Sequence, residues 1–268
     1  MFPISDATAH HRSTPVVNIT LIALNTLVFL YELLIGGLGM LGGGGNRDLF
    51  VFFHTWGFIP AEFTTGETFT SLRVGLGTLV DIETPVPTWA TIFSSMFMHG
   101  GLLHFGGNMA FLWVFGDNIE GRFGHLKYLV FYLVVGVAAT LSHWFINQQS
   151  QTPLVGASGA ISGVLGAYLL LYPYNRIRVL VIFFLITAVQ IPAMYMLGLW
   201  FLLQVLQGLG SLGVSDQVSV AFFAHIGGFV AGAAIVAVFK LLTGQPIWPP
   251  RPYFPSSRTR YWRGRPLD

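Results

Sequence analysis

Apolar residues along this chain gather in blocks of about twenty, the length a helix rising 1.5 Å per residue needs to cross a hydrocarbon layer about 30 Å thick. Six such blocks stand out, at about 16–35, 101–119, 127–147, 157–173, 192–210 and 220–242. The apolar run from Ile177 to Phe201 is too long for one span. Pro192 marks its break, and 177–190, rich in Val, Ile and Phe, reads as an interfacial or extended lead-in to the fifth span. The pattern predicts an all-α integral membrane fold, a bundle of six transmembrane helices. A segment 1–15 precedes the membrane domain 16–243, and a Pro- and Arg-rich tail 244–268 that cannot bury a core is expected to be disordered. The loop 36–100 is too long for a simple connector. Its glycine cluster and aromatic patches predict short helices resting on the membrane surface.

Composition agrees. The 268 residues are 53% hydrophobic and only 9% charged, against about 25% charged in soluble domains. With no Cys there is no disulfide framework, thiolate metal site or cysteine nucleophile. Nothing calls for a metal or a cofactor. The apolar run after Arg12 lacks a small-residue cleavage site and reads as an uncleaved first helix. The basic residues orient the bundle. Arg12, Arg122, Lys127, Arg176, Arg178, Lys240, Arg251, Arg258, Arg260, Arg263 and Arg265 fall on one side of a six-span arrangement, and only Arg47 and Arg73 on the other. Both termini are therefore expected in the cytoplasm. The tail reads as a stop-transfer segment near anionic lipid, with no nucleic-acid partner expected.

Orientation turns scattered polar residues into a candidate site. His104 and Asn108, four apart on one face of span two, lie in its outer portion. Ser158 opens span four, and His225 lies near the outer start of span six. Polar groups inside hydrocarbon are costly and point to function. Glycines offer a way to bring them together: Gly159, Gly163 and Gly166 recur in span four, and Gly228 and Gly232 follow His225. Such small-residue stripes let membrane helices approach closely, although ordinary packing alone would use them too. Serine becomes a nucleophile when an adjacent base takes its proton, and histidine is the usual base. Backbone N–H groups at a helix start, with His104 and Asn108, can supply donors for an oxyanion. The stretch is not the G-x-S-x-G elbow, since position 160 is Ala. No third acid is evident: Asp117 and Glu120 fall at the opposite end of span two, and nothing places Asp216 beside His225.

These motifs resemble the rhomboid family of intramembrane serine proteases. The matching stretches are HGGLLHFGGNM from His99 to Met109, GDNIEGRFG from Gly116 to Gly124, GASGAISG from Gly156 to Gly163 and AHIGG from Ala224 to Gly228. The likeness extends over about 50–240 and includes WGFIP from Trp56 to Pro60. One departure is Trp89-Ala90, where the family often has Trp-Arg. The resemblance implies a serine endopeptidase that cleaves peptide bonds in or beside transmembrane helices of membrane-protein substrates. Ser158 would be the nucleophile and His225 the base, with His104, Asn108 and the Ser158 N–H as oxyanion hole. Glu120 and Arg122 match a structural motif, and His99 would stabilise the first loop. Substrate helices would enter beside span five, under the loop around 211–219. Six spans without a seventh resemble the simpler bacterial form, expected in an inner (plasma) membrane in contact with lipid.

Two other readings compete. An inactive relative could bind transmembrane clients, but such proteins lose the Ser or the His and this chain keeps both. A transporter could line a path with polar residues, but no internal repeat or pair of interrupted helices is visible.

Overall fold

The computed structural model describes residues 2–7, 14–74, 78–182, 186–212, 221–251, 261–262 and 265–266. Strand β1 (Phe2–Asp6) is followed by helix α1 (Val16–Gly36). The long first loop holds the short helices α2 (Arg47–Trp56) and α3 (Pro60–Thr65), a hairpin of β2 (Ser71–Val74) and β3 (Thr78–Asp81), and α4 (Thr91–Ser95). Helix α5 (Leu102–Phe111) runs through a π-type turn, Leu112–Gly116, into α6 (Asp117–Phe123). Then come α7 (His125–Ile146) and α8 (Ser158–Leu171). A second hairpin, β4 (Arg176–Ile182) and β5 (Ile186–Pro192), leads into α9 (Ala193–Ser211), and α10 (Phe222–Leu242) follows. Strands β6 (Tyr261–Trp262) and β7 (Arg265–Pro266) pair near the end.

The fold is mostly helical, and the long helices lie close to the apolar blocks of the sequence. Among the described residues, α1, α7, α9 and α10 are long and apolar enough to cross a membrane. The second block is a helix interrupted by its π turn. The fourth, α8, has only 14 residues, about 21 Å of rise. It sits among α7, α9 and α10 with Gly159 through Tyr168 all buried. A short central helix surrounded by longer ones leaves room above its first residue, which is Ser158.

Three small sheets add to the all-α expectation. The segment read as a lead-in is a hairpin, and β1 joins it to give the order β1-β4-β5. In β4 the arginines 176 and 178 are exposed while Ile177 and Val179 are buried, the alternation of a sheet with one covered face. Asp6 ties β1 to the bundle by accepting hydrogen bonds from Tyr168 Oη and, at 2.9 Å, from Asn175 Nδ2.

This end of the bundle also satisfies helix termini. The two oxygens of the buried Glu120 accept the Val17 and Asn18 N–H groups at 2.9 and 2.7 Å, covering donors that α1 leaves open in its first turn. Lys240 Nζ donates to the Leu170 carbonyl at 2.6 Å and to Ile247 O at 2.9 Å, placing a cation at the C-terminus of α8. Beside the π turn the Asn18 amide donates to Leu112 O at 3.0 Å and accepts from Tyr128 Oη at 2.8 Å. Arg122, Lys127, Arg176, Arg178 and Lys240 all belong to this end, whereas Arg12, Arg258, Arg260 and Arg263 lie outside the described residues. So do 252–260, 263–264 and 267–268 of the tail expected to be disordered; its first part is held by Trp248 Nε1, which donates to Tyr174 Oη at 2.8 Å.

At the other end the first loop carries the expected short helices. It is pinned by a backbone bridge between Phe58 and Leu154 and by Trp144 Nε1, which donates to Thr64 Oγ1 at 2.9 Å. Trp89, by contrast, is 58% exposed. Glu32 of α1 accepts the His99 N–H, anchoring the segment before α5, while the His99 ring is buried edge-on to those of His104 and Phe105.

Candidate active site

The glycine stripes determine how α8 and α10 meet. A Cβ built on Gly228 would fall 2.1 Å from the Gly159 carbonyl oxygen, and one on Gly232 1.9 Å from Gly163 O. On the facing helix, a Cβ on Gly166 would collide with the Phe229 carbonyl. Only hydrogen at these positions lets the two backbones touch. That contact carries His225, one turn before Gly228, onto Ser158, directly before Gly159. The result is His225 Nε2 at 2.8 Å from Ser158 Oγ. The other ring nitrogen, Nδ1, lies 2.8 Å from Gln204 Oε1 of α9. Trp200, one turn earlier on α9, sets its ring 6.0 Å from the imidazole, centroid to centroid.

Local backbone places Ser158. Gly156 adopts φ +131, a conformation L side chains rarely take, and its N–H donates to Ser95 O at 2.8 Å. The chain then turns through Ala157 into α8, so Ser158 stands in the first turn, where backbone N–H groups have no intrahelical partner. Gly156 also makes room for a neighbour. A Cβ there would lie 2.9 Å from His104 Nε2 and 3.4 Å from Ser158 Oγ. One small space therefore borders both the hydroxyl and that imidazole nitrogen. The Gly100 N–H donates to His104 Nδ1 at 3.3 Å, which leaves the proton of the neutral ring on Nε2, facing the space. Asn108, one turn along α5, is 8% exposed, and its Nδ2 donor is buried without a partner among the described residues.

All four residues singled out in the sequence, Ser158, His225, His104 and Asn108, line one cavity of about 470 Å³. Asp216 lies outside the described residues, as do 213–220. Asp117 and Glu120 are at the far end, as expected. Gln204, Trp200 and His143 line the cavity as well. Polarity inside an apolar block could flag Gln204 and His143. Span five, however, holds both Gln204 and Gln207, and only the fold turns the first inward while the second is exposed.

A hydroxyl hydrogen-bonded to an imidazole, beside an Asn108 donor that has no partner among the described residues, is an arrangement suited to acyl transfer. Among the described residues no cluster of side chains is suited to hold a metal ion.

The model of the Rhomboid domain matches residues 87–241, which include all four residues. The chain is 30% identical over 128 residues to the "Rhomboid protease GluP" of Bacillus subtilis, covering 48% of this chain and 25% of the relative. It is 36% identical over 78 residues to "RHOMBOID-like protein 5" of Arabidopsis thaliana, covering 29% and 25%. With "Rhomboid protein 1, mitochondrial" of Saccharomyces cerevisiae it shares 34% over 95 residues, covering 34% and 28%. The matches thus span about a quarter of the length of these curated relatives. With a family model that covers more than half of the chain and four helices able to cross a bilayer, this chain is a multi-pass integral membrane protein and belongs to the rhomboid family.

Proposed function

We propose that this protein is an intramembrane serine endopeptidase that cleaves peptide bonds in or next to the transmembrane helices of other membrane proteins. The observation that carries the reading is the 2.8 Å contact between Ser158 Oγ and His225 Nε2 in the cavity that Asn108 and His104 also line. Members of the family are generally intramembrane serine proteases.

In this mechanism His225 Nε2 takes the Ser158 hydroxyl proton as Oγ attacks the scissile carbonyl carbon. The carbonyl oxygen becomes an oxyanion. Asn108 Nδ2, His104 Nε2–H and the Ser158 backbone N–H then donate to it. His225 next gives its proton to the departing amine, leaving an acyl ester on Ser158. A water, deprotonated by His225, attacks that ester; its collapse releases the acid and returns the proton to Oγ. The unpartnered Asn108 donor supports this assignment, since a buried N–H costs free energy until something accepts from it.

The domain 16–243 is the membrane unit in this reading, with lipid around it. The side distribution of Arg and Lys supports cytoplasmic termini and a site that opens on the outer side of a bacterial plasma membrane. The test is cleavage of a panel of single-span substrates in proteoliposomes, together with labelling by a fluorophosphonate. Cleavage and labelling that both vanish in Ser158→Ala and His225→Ala are expected. Processing retained in Ser158→Ala would refute the reading. Client binding without cleavage by the wild type would make it an inactive binder.

A further inference from the structure

Gln204, Trp200 and His143 line the cavity without a part in the proposed steps, and Gln204 hydrogen-bonds the base itself. Gln204 projects from α9, a helix whose other face is apolar and outward: Leu202, Leu203, Leu206 and Leu209 are each roughly half exposed. Its amide oxygen lies 2.8 Å from His225 Nδ1, on the opposite side of the ring from Ser158. We propose that Gln204 is a positioning residue, a neutral third member behind Ser158 and His225, which selects the tautomer of His225 that can act as base.

Donors and acceptors around the ring fix its proton. A neutral imidazole carries one proton on two nitrogens. A carbonyl-type oxygen can only accept, so Oε1 requires the proton on Nδ1. Nε2 is then a bare lone pair facing the Ser158 hydroxyl, the state from which a proton can be taken. The reverse tautomer would direct N–H at Ser158 Oγ and leave two lone pairs facing each other across 2.8 Å at Gln204. A buried acid does this work in soluble triads. Here an amide does it without placing a charge in the cavity, where an unpaired carboxylate would be costly. Among the described residues, the titratable groups that face His225 are His104 from α5 and His143 from α7, both imidazoles, while α8 presents Ser158. Trp200, one turn before Gln204 on α9, flanks the ring, so the two side chains together hold its plane.

Because Ser158 and His225 sit on α8 and α10 while Gln204 sits on α9, the base is oriented only while α9 is docked. That coupling rests on the protease reading; the tautomer does not. Two measurements separate them. In Ser158→Ala protein, side-chain ¹⁵N spectra of labelled histidine, with His225→Gln as the assignment control, should show Nδ1 protonated and Nε2 bare. Finding the proton on Nε2 overturns the proposal whether or not the enzyme is active. In proteoliposomes, Gln204→Leu should lower kcat about 10- to 100-fold, the worth of one hydrogen bond to a charged group, with KM unchanged. Gln204→Glu keeps the acceptor and should restore kcat above the Leu variant. It should also move the acid limb of the pH profile upward, since a carboxylate favours the imidazolium. A merely structural Gln204 would instead lower thermal stability in both variants and leave the limb in place, and wild-type kinetics in Gln204→Leu would refute the role. If wild-type protein neither cleaves nor labels, the protease reading fails, and the ring-nitrogen measurement still decides the tautomer.

Discussion

Replacing Gly228 by alanine tests whether the approach of α10 to α8 aligns the candidate pair. The new Cβ would sit 2.1 Å from the Gly159 carbonyl oxygen and 3.3 Å from Ala139 Cβ. The first obstacle is backbone, with no rotamer to move aside, so the helices must separate by about 1 Å, and packed interiors transmit such shifts. The overlap falls one turn from His225 and next to Ser158, so their 2.8 Å hydrogen bond takes up most of the displacement. A misplacement of about 1 Å can cost about 100-fold in rate, and overpacking costs about 1–3 kcal/mol in stability. Gly232→Ala meets an equal obstacle, 1.9 Å from Gly163 O, one further turn from the pair. It should cost similar stability but less activity. Gly198→Ala on α9 meets nothing within 4 Å and serves as control. The assays are substrate cleavage in proteoliposomes and thermal unfolding in detergent. Full activity in folded Gly228→Ala, or a greater activity loss in Gly232→Ala at equal stability, would refute the reasoning.

Three further outcomes are expected. Asn108→Ala should lower kcat by about 10²–10³, as removal of an oxyanion donor does, yet not lower the melting temperature, because its Nδ2 has no partner among the described residues to lose; paired kinetics and unfolding check both halves. Glu120→Ala should destabilise by about 2 kcal/mol or more by uncovering the Val17 and Asn18 N–H groups, read as a lower unfolding temperature with KM unchanged. Burial raises the carboxyl pKa of Glu62 in the first loop, while the Phe69 N–H at 2.7 Å partly opposes it. The folded loop therefore holds its proton more tightly than the unfolded chain does. The stability this contributes is complete below the ordinary carboxylate range and is lost as pH rises through the raised value. Protection factors over 60–70, with the intrinsic pH dependence of exchange divided out, should fall across that window in the wild type and stay flat in Glu62→Gln.

Much of the site is legible along the chain. Ser158, His225, His104 and Asn108 are polar residues in apolar blocks, and the penalty for such groups in hydrocarbon makes them conspicuous. Helix polarity then sets their common level. The stripes of Gly159, Gly163, Gly228 and Gly232 are likewise a local pattern with a direct packing consequence. The pairing of β1 with β4 is not legible, because it joins segments about 170 residues apart and five residues such as Phe2–Asp6 carry too little pattern to name a partner. Nor is the π turn, beside which Asn18 and Tyr128 from distant helices meet at Leu112 and Gly116.

The apolar helices and the four polar residues within them can be read along the chain, since hydrophobic length and the cost of buried polarity are properties of single segments. The tertiary structure alone decided that His225 reaches Ser158 at hydrogen-bond distance and that Gln204, not Gln207, stands behind it. Which face of a mostly apolar helix turns inward is set by close contact with its neighbours, and two glutamines three residues apart in an apolar run do not record that choice in their own sequence.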